Sequence, residues 1–206
     1  MTVRIVVLAS GNGSNLQALL DASADGRLNA NIVAVVSNNV EAFAHTRAAN
    51  SGVPSLSVTK LPSETREQYD TRLGEAVAAF QPHFVVLAGW MRILTMAFLS
   101  NFPNQVINLH PALPGEFPGT HAIERALAEH KQSGLARTGV MVHYVPDERV
   151  DEGDVIASVE VPINPLDSLE TLEARVHVAE HALLVQAMQQ LAQGHGRSDP
   201  APEPNQ

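Results

Sequence analysis

Asn108 and His110 stand two residues apart in the run Val106-Ile107-Asn108-Leu109-His110-Pro111. An apolar pair leads in, and a proline that cannot continue a central strand closes the run, so it reads as a strand end. Side chains i and i+2 of a strand leave the same face, which brings the amide and the imidazole together. An uncharged donor can hold a developing oxyanion while a group titrating near pH about 6.5 moves a proton. That is acyl-transfer chemistry, and it requires neither a covalent intermediate nor a metal. The same pair could merely satisfy loop backbone groups at a strand end, so other motifs must decide.

A second motif is Ser10-Gly11-Asn12-Gly13-Ser14-Asn15, between an apolar run over 3–9 and the helical Leu16-Gln17-Ala18-Leu19-Leu20. Strand, glycine turn and helix start converge backbone N–H groups on one point, where the helix dipole adds positive charge. No third glycine follows in the dinucleotide spacing. The strand over 32–36 ends in Ser37-Asn38-Asn39, without an acidic residue for a ribose diol. The loop therefore suits a monophosphate better than a dinucleotide, although alone it could be only a tight turn. Asp147, Glu148, Glu152 and Asp154 read as a solvated acidic loop, and Asp151 alone would belong with them. His177 and His181 lie one helical turn apart with no evident third ligand, so they read as a surface or core pair, not a metal site.

The positioning elements alternate. Apolar runs at 3–9, 32–36, 54–58, 84–89 and 105–110 read as strands. Between them lie helices opening at Leu16 and spanning 41–50 and 63–80, with Ser63 as cap for the last. This is an α/β chain with a mostly parallel sheet flanked by helices, whose ligands belong at the carboxyl ends of the strands. Gly13, Arg92 and His110 all follow strand ends and could share one cleft. Beyond, a helix over 121–131 stops at Gly134, and strands at 138–145 and 155–161 pair antiparallel, making the sheet mixed. The last helix spans 168–193, with Asp167 as cap and Glu170 three residues on. We expect a single domain over 1–193 and a disordered tail over 194–206, which lacks large apolar residues.

Composition narrows the function. The 206 residues are 45% hydrophobic, enough for one packed core. Thirteen Lys and Arg against 22 Asp and Glu give a net charge of −9, which argues against a nucleic-acid partner. A small anionic substrate would need a locally positive pocket. With no cysteine there is no disulfide, thiol nucleophile or thiolate metal site. The first apolar segment ends at Ser10, too early for a signal peptide or membrane span, so a cytoplasmic location is expected.

Four stretches in register resemble one family. They are the glycine loop with Leu16-Gln17-Ala18, then Leu87-Ala88-Gly89-Trp90-Met91-Arg92-Ile93-Leu94, then Asn108-Leu109-His110-Pro111, and Val150-Asp151-Glu152-Gly153. Over about 3–192 the chain resembles the phosphoribosylglycinamide formyltransferases. The resemblance implies a Rossmann-like formyltransferase fold. It also implies transfer of a formyl group from 10-formyltetrahydrofolate, as co-substrate, to the amine of glycinamide ribonucleotide in purine biosynthesis. Asn108, His110 and Asp151 match the catalytic trio, with Asp151 expected to favour the imidazolium and raise the histidine pKa. Gly13, Ser14 and Asn15 match the phosphate loop, and Glu180 a further ribonucleotide contact. Arg66, Met91, Arg92, Ile93, Leu94 and Asn108 match folate contacts, though Met91, Ile93 and Leu94 could equally be core. The implied partners are these two small molecules, with no metal, nucleic acid or membrane, and a monomer or homodimer.

A formyltetrahydrofolate hydrolase would use the same trio with water as acceptor. Such enzymes usually carry an N-terminal regulatory domain, whereas here the first strand begins at residue 3. A methionyl-tRNA formyltransferase is disfavoured by the acidic charge and the lack of an added C-terminal domain. A non-catalytic nucleotide-binding module is disfavoured by the intact trio. The chain departs from the family at Leu113-Pro114-Gly115-Glu116, at Trp90, where a Phe is common and only a size change is expected, and at His177, where a longer polar side chain is usual; no contact is assigned to His177.

Overall fold

The computed structural model describes residues 2–195. Seven strands form one sheet: β1 (Val3–Leu8), β2 (Ala30–Ser37), β3 (Ser55–Ser57), β4 (Phe84–Leu87), β5 (Val106–His110), β6 (Arg137–Tyr144) and β7 (Val155–Pro162). Their order is β3-β2-β1-β4-β5-β6-β7. The first five are parallel, and β6 and β7 each run antiparallel to the strand before. The helices are α1 (Ser14–Ala24), α2 (Phe43–Asn50), α3 (Arg66–Ala78), α4 (Met96–Leu99), α5 (Ala122–Ser133) and α6 (Leu169–His195).

The continuous apolar runs follow from helices on both faces of the sheet. Ile5 and Val7 of β1 face a core shared with α1, α2, α5 and α6, while Val6 and Leu8 face Tyr69, Leu73 and Val77 of α3 and Phe98 of α4. The edge strand β7 is covered less fully, and Val155 and Val159 remain exposed. The strand order reverses between β1 and β4, which opens a crevice at their carboxyl ends. There the Ser10 N–H donates to Gly89 O (3.0 Å) and the Met91 N–H donates to Ser10 Oγ (2.9 Å), joining the two loops that border it.

Several boundaries differ from the sequence reading. The α3 cap is Thr65, not Ser63: Thr65 Oγ1 accepts from the Gln68 N–H (3.2 Å) and Gln68 Oε1 accepts from the Thr65 N–H (2.9 Å). This reciprocal box satisfies two otherwise free donors, which Ser63 could not do. In α6 the cap is Ser168, whose Oγ accepts from the Thr171 N–H at 3.2 Å. Asp167 instead takes the Arg175 guanidinium at 2.7 and 2.8 Å, and that pairing holds its carboxyl well below the usual range. Helix α6 continues through His195, so Gly194 and His195 belong to it and not to a tail, and 196–206 lie outside the described residues. The four-residue α4 was not anticipated. Gly134, at φ +80°, ends α5 as expected. Among the described residues no helix is long and apolar enough to cross a membrane.

Candidate active site

Three groups of residues border the crevice. The first is the glycine loop. Gly13 caps α1 at φ +73°, and no side chain caps the helix, so its first-turn N–H groups remain available to an anion. A Cβ at Gly13 would also lie 3.1 Å from Ala44 Cβ, so glycine is required there twice over. Arg47 of α2 anchors the loop, donating from Nε to Asn12 O (2.8 Å), from Nη2 to Asn12 Oδ1 (2.9 Å) and from Nη1 to Gln17 Oε1 (3.1 Å). Asn15 donates its amide to Glu180 Oε2 at 3.2 Å, and His177 Nδ1 lies 2.7 Å from the same oxygen. Glu180 is buried, and its hydrogen bond raises the His177 pKa against the opposing effect of burial. His181 does not join that pair; its Nε2 has no partner among the described residues, and burial lowers its pKa.

The second group lies on the segment after β4. Met91 and Ile93 are 70% and 50% exposed, so they are surface residues, whereas Leu94 is buried in the core facing α3. Only the first two can offer side chains to a ligand. Arg92 stacks over the Tyr69 ring at 4.8 Å, and Arg66 Nη2 donates to Ile93 O at 3.0 Å. The buried Asp70 carboxylate accepts from the Thr95 N–H (2.6 Å) and fixes the segment's end on α3. Glu148 reaches over from the acidic loop, 3.6 Å from Arg66, and accepts from the Met96 N–H at 3.2 Å. Trp90 is more than a size change, because its Nε1 is buried without a partner among the described residues.

The third group is built by the β5–β6 register, which sets Asn108 directly opposite His143. Asn108 Nδ2 donates to Asp151 Oδ1 (3.1 Å) and lies 3.1 Å from His143 Nε2. His143 Nδ1 is 2.8 Å from Tyr144 O, a carbonyl that can only accept, so Nδ1 donates there, while Nε2 also faces Asp151 Oδ1 at 3.5 Å. His110 Nδ1 is 3.2 Å from Asp151 Oδ2, and its Nε2 is 3.1 Å from Phe117 O. Asp151, at φ +58°, also accepts from the Gly119 N–H at 2.8 Å. Burial works to raise the Asp151 pKa, but the contact with His143, the Gly119 N–H and the charge of His110 outweigh it and leave the carboxyl below its ordinary value.

His110 departs from expectation. Its two nitrogens face a carboxylate and a carbonyl, and only an imidazolium donates to both. The ring is nevertheless 4% exposed, and burial pulls its pKa below the ordinary value despite the opposing charge of Asp151. Loss of water around the charged ring outweighs one nearby carboxylate.

The departure at 113–116 is a type II turn, with Pro114 at its second position and Gly115 (φ +78°) at its third. The Glu116 N–H closes it onto Leu113 O at 3.0 Å. Leu113 packs where a Cβ on Gly139 would collide with it, and Arg137 Nη1 holds Glu116 at 3.0 Å. The following backbone crosses His110 and Asp151 at Phe117 and Gly119. Among the described residues no group of three or more His, Asp or Glu is placed to hold a metal ion.

Sequence reasoning missed His143, Arg47, Glu148 and the backbone of Phe117 and Gly119. A histidine in an otherwise apolar strand was the available signal for His143, but without the register it reads as core. The trio Asn108, His110 and Asp151 does come together, as do Gly13, Asn15 and Glu180.

The fold is a mostly parallel α/β sheet with a polar cluster at the end of its central strands, and residues 3–188 match the formyl transferase family. The chain belongs to that family. A phosphoribosylglycinamide formyltransferase of Schizosaccharomyces pombe is 45% identical over 203 residues, covering 93% of this chain and 98% of the relative. The Escherichia coli enzyme of the same name is 40% identical over 181 residues, covering 88% and 83%. The crystal structure of a glycinamide ribonucleotide transformylase from Symbiobacterium toebii superposes with a TM-score of 0.88 at 36% identity, covering 94% of this chain and 89% of that one.

Proposed function

We propose that the chain transfers a formyl group from 10-formyltetrahydrofolate to the amine of glycinamide ribonucleotide, with Asn108, His110 and Asp151 as its catalytic residues. The observation that carries the reading is the meeting of the three side chains at the same edge of the sheet as an uncapped helix start. The phosphate belongs at the N–H groups of Ser14 and Asn15, with Arg47 adding positive charge behind the loop. Asn15 Oδ1 is buried without a partner among the described residues, which leaves an acceptor for the rest of the ribonucleotide beside Glu180.

The folate fits the second group. Met91 and Ile93 offer apolar surface to a ring system, and Arg66 and Arg92 offer cations to its carboxylates. Glu148 stands 3.6 Å from Arg66, where an incoming carboxylate would compete with it. When bound, the folate supplies the formyl carbon and a nitrogen leaving group.

Asn108 donates to the formyl oxygen as it gains charge. Its amide lies against Asp151 Oδ1 and His143 Nε2 in the structure, so it must turn from one of them to reach the formyl oxygen. As the ribonucleotide amine attacks the formyl carbon, His110 donates a second hydrogen bond to the oxyanion from Nε2, delivers its proton to the folate nitrogen as that C–N bond breaks, and takes back the proton that the attacking nitrogen sheds on becoming an amide. Asp151 keeps Nδ1 in place and stabilises the imidazolium that burial disfavours. Tetrahydrofolate release from the purified protein tests the reading: release only with ribonucleotide present is expected. Release without ribonucleotide would mean hydrolysis, and ribonucleotide binding without release would mean a binding module.

A further inference from the structure

Phe117 O is shared by two donors, His110 Nε2 at 3.1 Å and Arg125 Nη2 at 2.6 Å. The same Nη2 lies 2.7 Å from Pro118 O, and the guanidinium sits over the Phe117 ring at 5.8 Å. Arg125 is the fourth residue of α5, where the helix dipole disfavours a cation. Its Nε is buried with no partner among the described residues. Phe117 itself is held at φ +45°, a left-handed conformation that disfavours a side chain. Three unfavourable features are thus maintained at one contact, and that contact adjoins the proposed proton carrier.

We propose that Arg125 is a positioning residue for formyl transfer: it keeps the Phe117 carbonyl when His110 Nε2 turns to the substrate. The reason is in the hydrogen-bond accounts of the strap. His110 cannot donate to the formyl oxygen while it donates to Phe117 O. If it simply let go, a carbonyl beside a nearly dry ring would lose an acceptor's partner, which opposes the release. The shorter, charge-assisted bond from Arg125 already satisfies that carbonyl, so His110 leaves at little cost and the strap stays in place, with Gly119 N–H still on Asp151.

The inference rests on the role proposed for His110, and the experiment separates the two. Steady-state kinetics and pH profiles are measured for R125Q, R125K and H110A. We expect kcat of R125Q to fall by about 10- to 100-fold with KM for both substrates within about threefold, and R125K to recover part of the loss. The charged and titratable groups facing His110 are Asp151, His143 and Arg125. Arg125 lowers the His110 pKa, so removing that cation in R125Q raises it and, because His110 acts as the proton donor, moves the alkaline limb to higher pH, which a merely structural role would not do. Wild-type kcat in R125Q, a loss confined to KM, or an unmoved limb overturns the proposal. Should R125Q fail to fold, R125K alone decides: a kcat loss at unchanged KM supports it and wild-type kcat overturns it. If H110A keeps wild-type kcat, both readings fall; if H110A is inactive and R125Q is normal, only the role of Arg125 falls.

Discussion

Around Gly13 the groups offered to a ligand are backbone N–H donors at the start of α1, while around His110 they are side chains from β5, β6 and the loop before β7. The glycine loop is contiguous, carries no titratable group of its own, and is braced from one side by Arg47. The cluster at the end of β5 joins residues 108, 110, 143 and 151 with the backbone at 117 and 119, and nearly every donor in it is already paired within the chain. One region is open and works by geometry alone. The other is closed and must exchange hydrogen bonds to act, so its chemistry depends on pH and on the strap that covers it. Binding and chemistry should therefore respond separately to mutation.

The sharpest division comes from His110→Ala. Turnover should fall by about a thousandfold while ribonucleotide affinity, measured by calorimetry, changes by no more than a fewfold. A large loss of affinity would mean that the two regions are one. Asp151→Asn should lower kcat by about a hundredfold, because it removes the charge that steadies the imidazolium. It should also move the His110 pKa still further down in an NMR titration, since burial already lowers it and the Asp151 charge, which favours the protonated ring, would be gone. An upward shift would contradict the charge pair.

Gly13→Ala is the reverse experiment. It should raise KM for the ribonucleotide roughly tenfold, reflecting about 1–2 kcal/mol of left-handed strain, with kcat little changed. A kcat loss at constant KM would break the contrast. The smallest effect concerns His177. Its pKa is raised in the folded chain, first by the hydrogen bond to Glu180, so its stabilisation is present below the ordinary imidazole value of about 6.5 and is lost as pH rises through the raised folded value. Across that window the melting temperature of the wild type should fall by about 1 °C relative to His177→Gln, a small change because the half-exposed His177 is screened by solvent. Parallel melting curves would remove His177 from the glycine-loop side of the comparison.

The two regions also differed in how far they could be read from sequence. The glycine loop, its strand and its helix are adjacent in the chain, so the pattern states the geometry. Asn108 and His110 were legible as a same-face pair for the same reason. His143 was not, because a lone histidine among Val140, Met141 and Val142 looks like core until the antiparallel register sets it opposite Asn108. Phe117 and Gly119 act through their backbone, which has no residue signature. Leu94 matched the folate segment in sequence yet packs inward, since adjacent residues of one segment can face opposite ways. The α3 cap moved from Ser63 to Thr65 because only Thr65 has a glutamine three residues on to close the box.

By itself, then, the sequence determined the alternation of strands and helices, the parallel half of the sheet, the glycine loop at the start of α1 and the side-chain types gathered at the end of β5. These follow from short-range periodicity and from the types of neighbouring residues. The tertiary structure decided which hydrogen bonds those groups make, that a strap held by Arg125 crosses the histidine, and that the His110 pKa falls where a carboxylate neighbour had suggested a rise. Those outcomes depend on contacts between distant parts of the chain and on the exclusion of water, and neither is encoded in any local pattern.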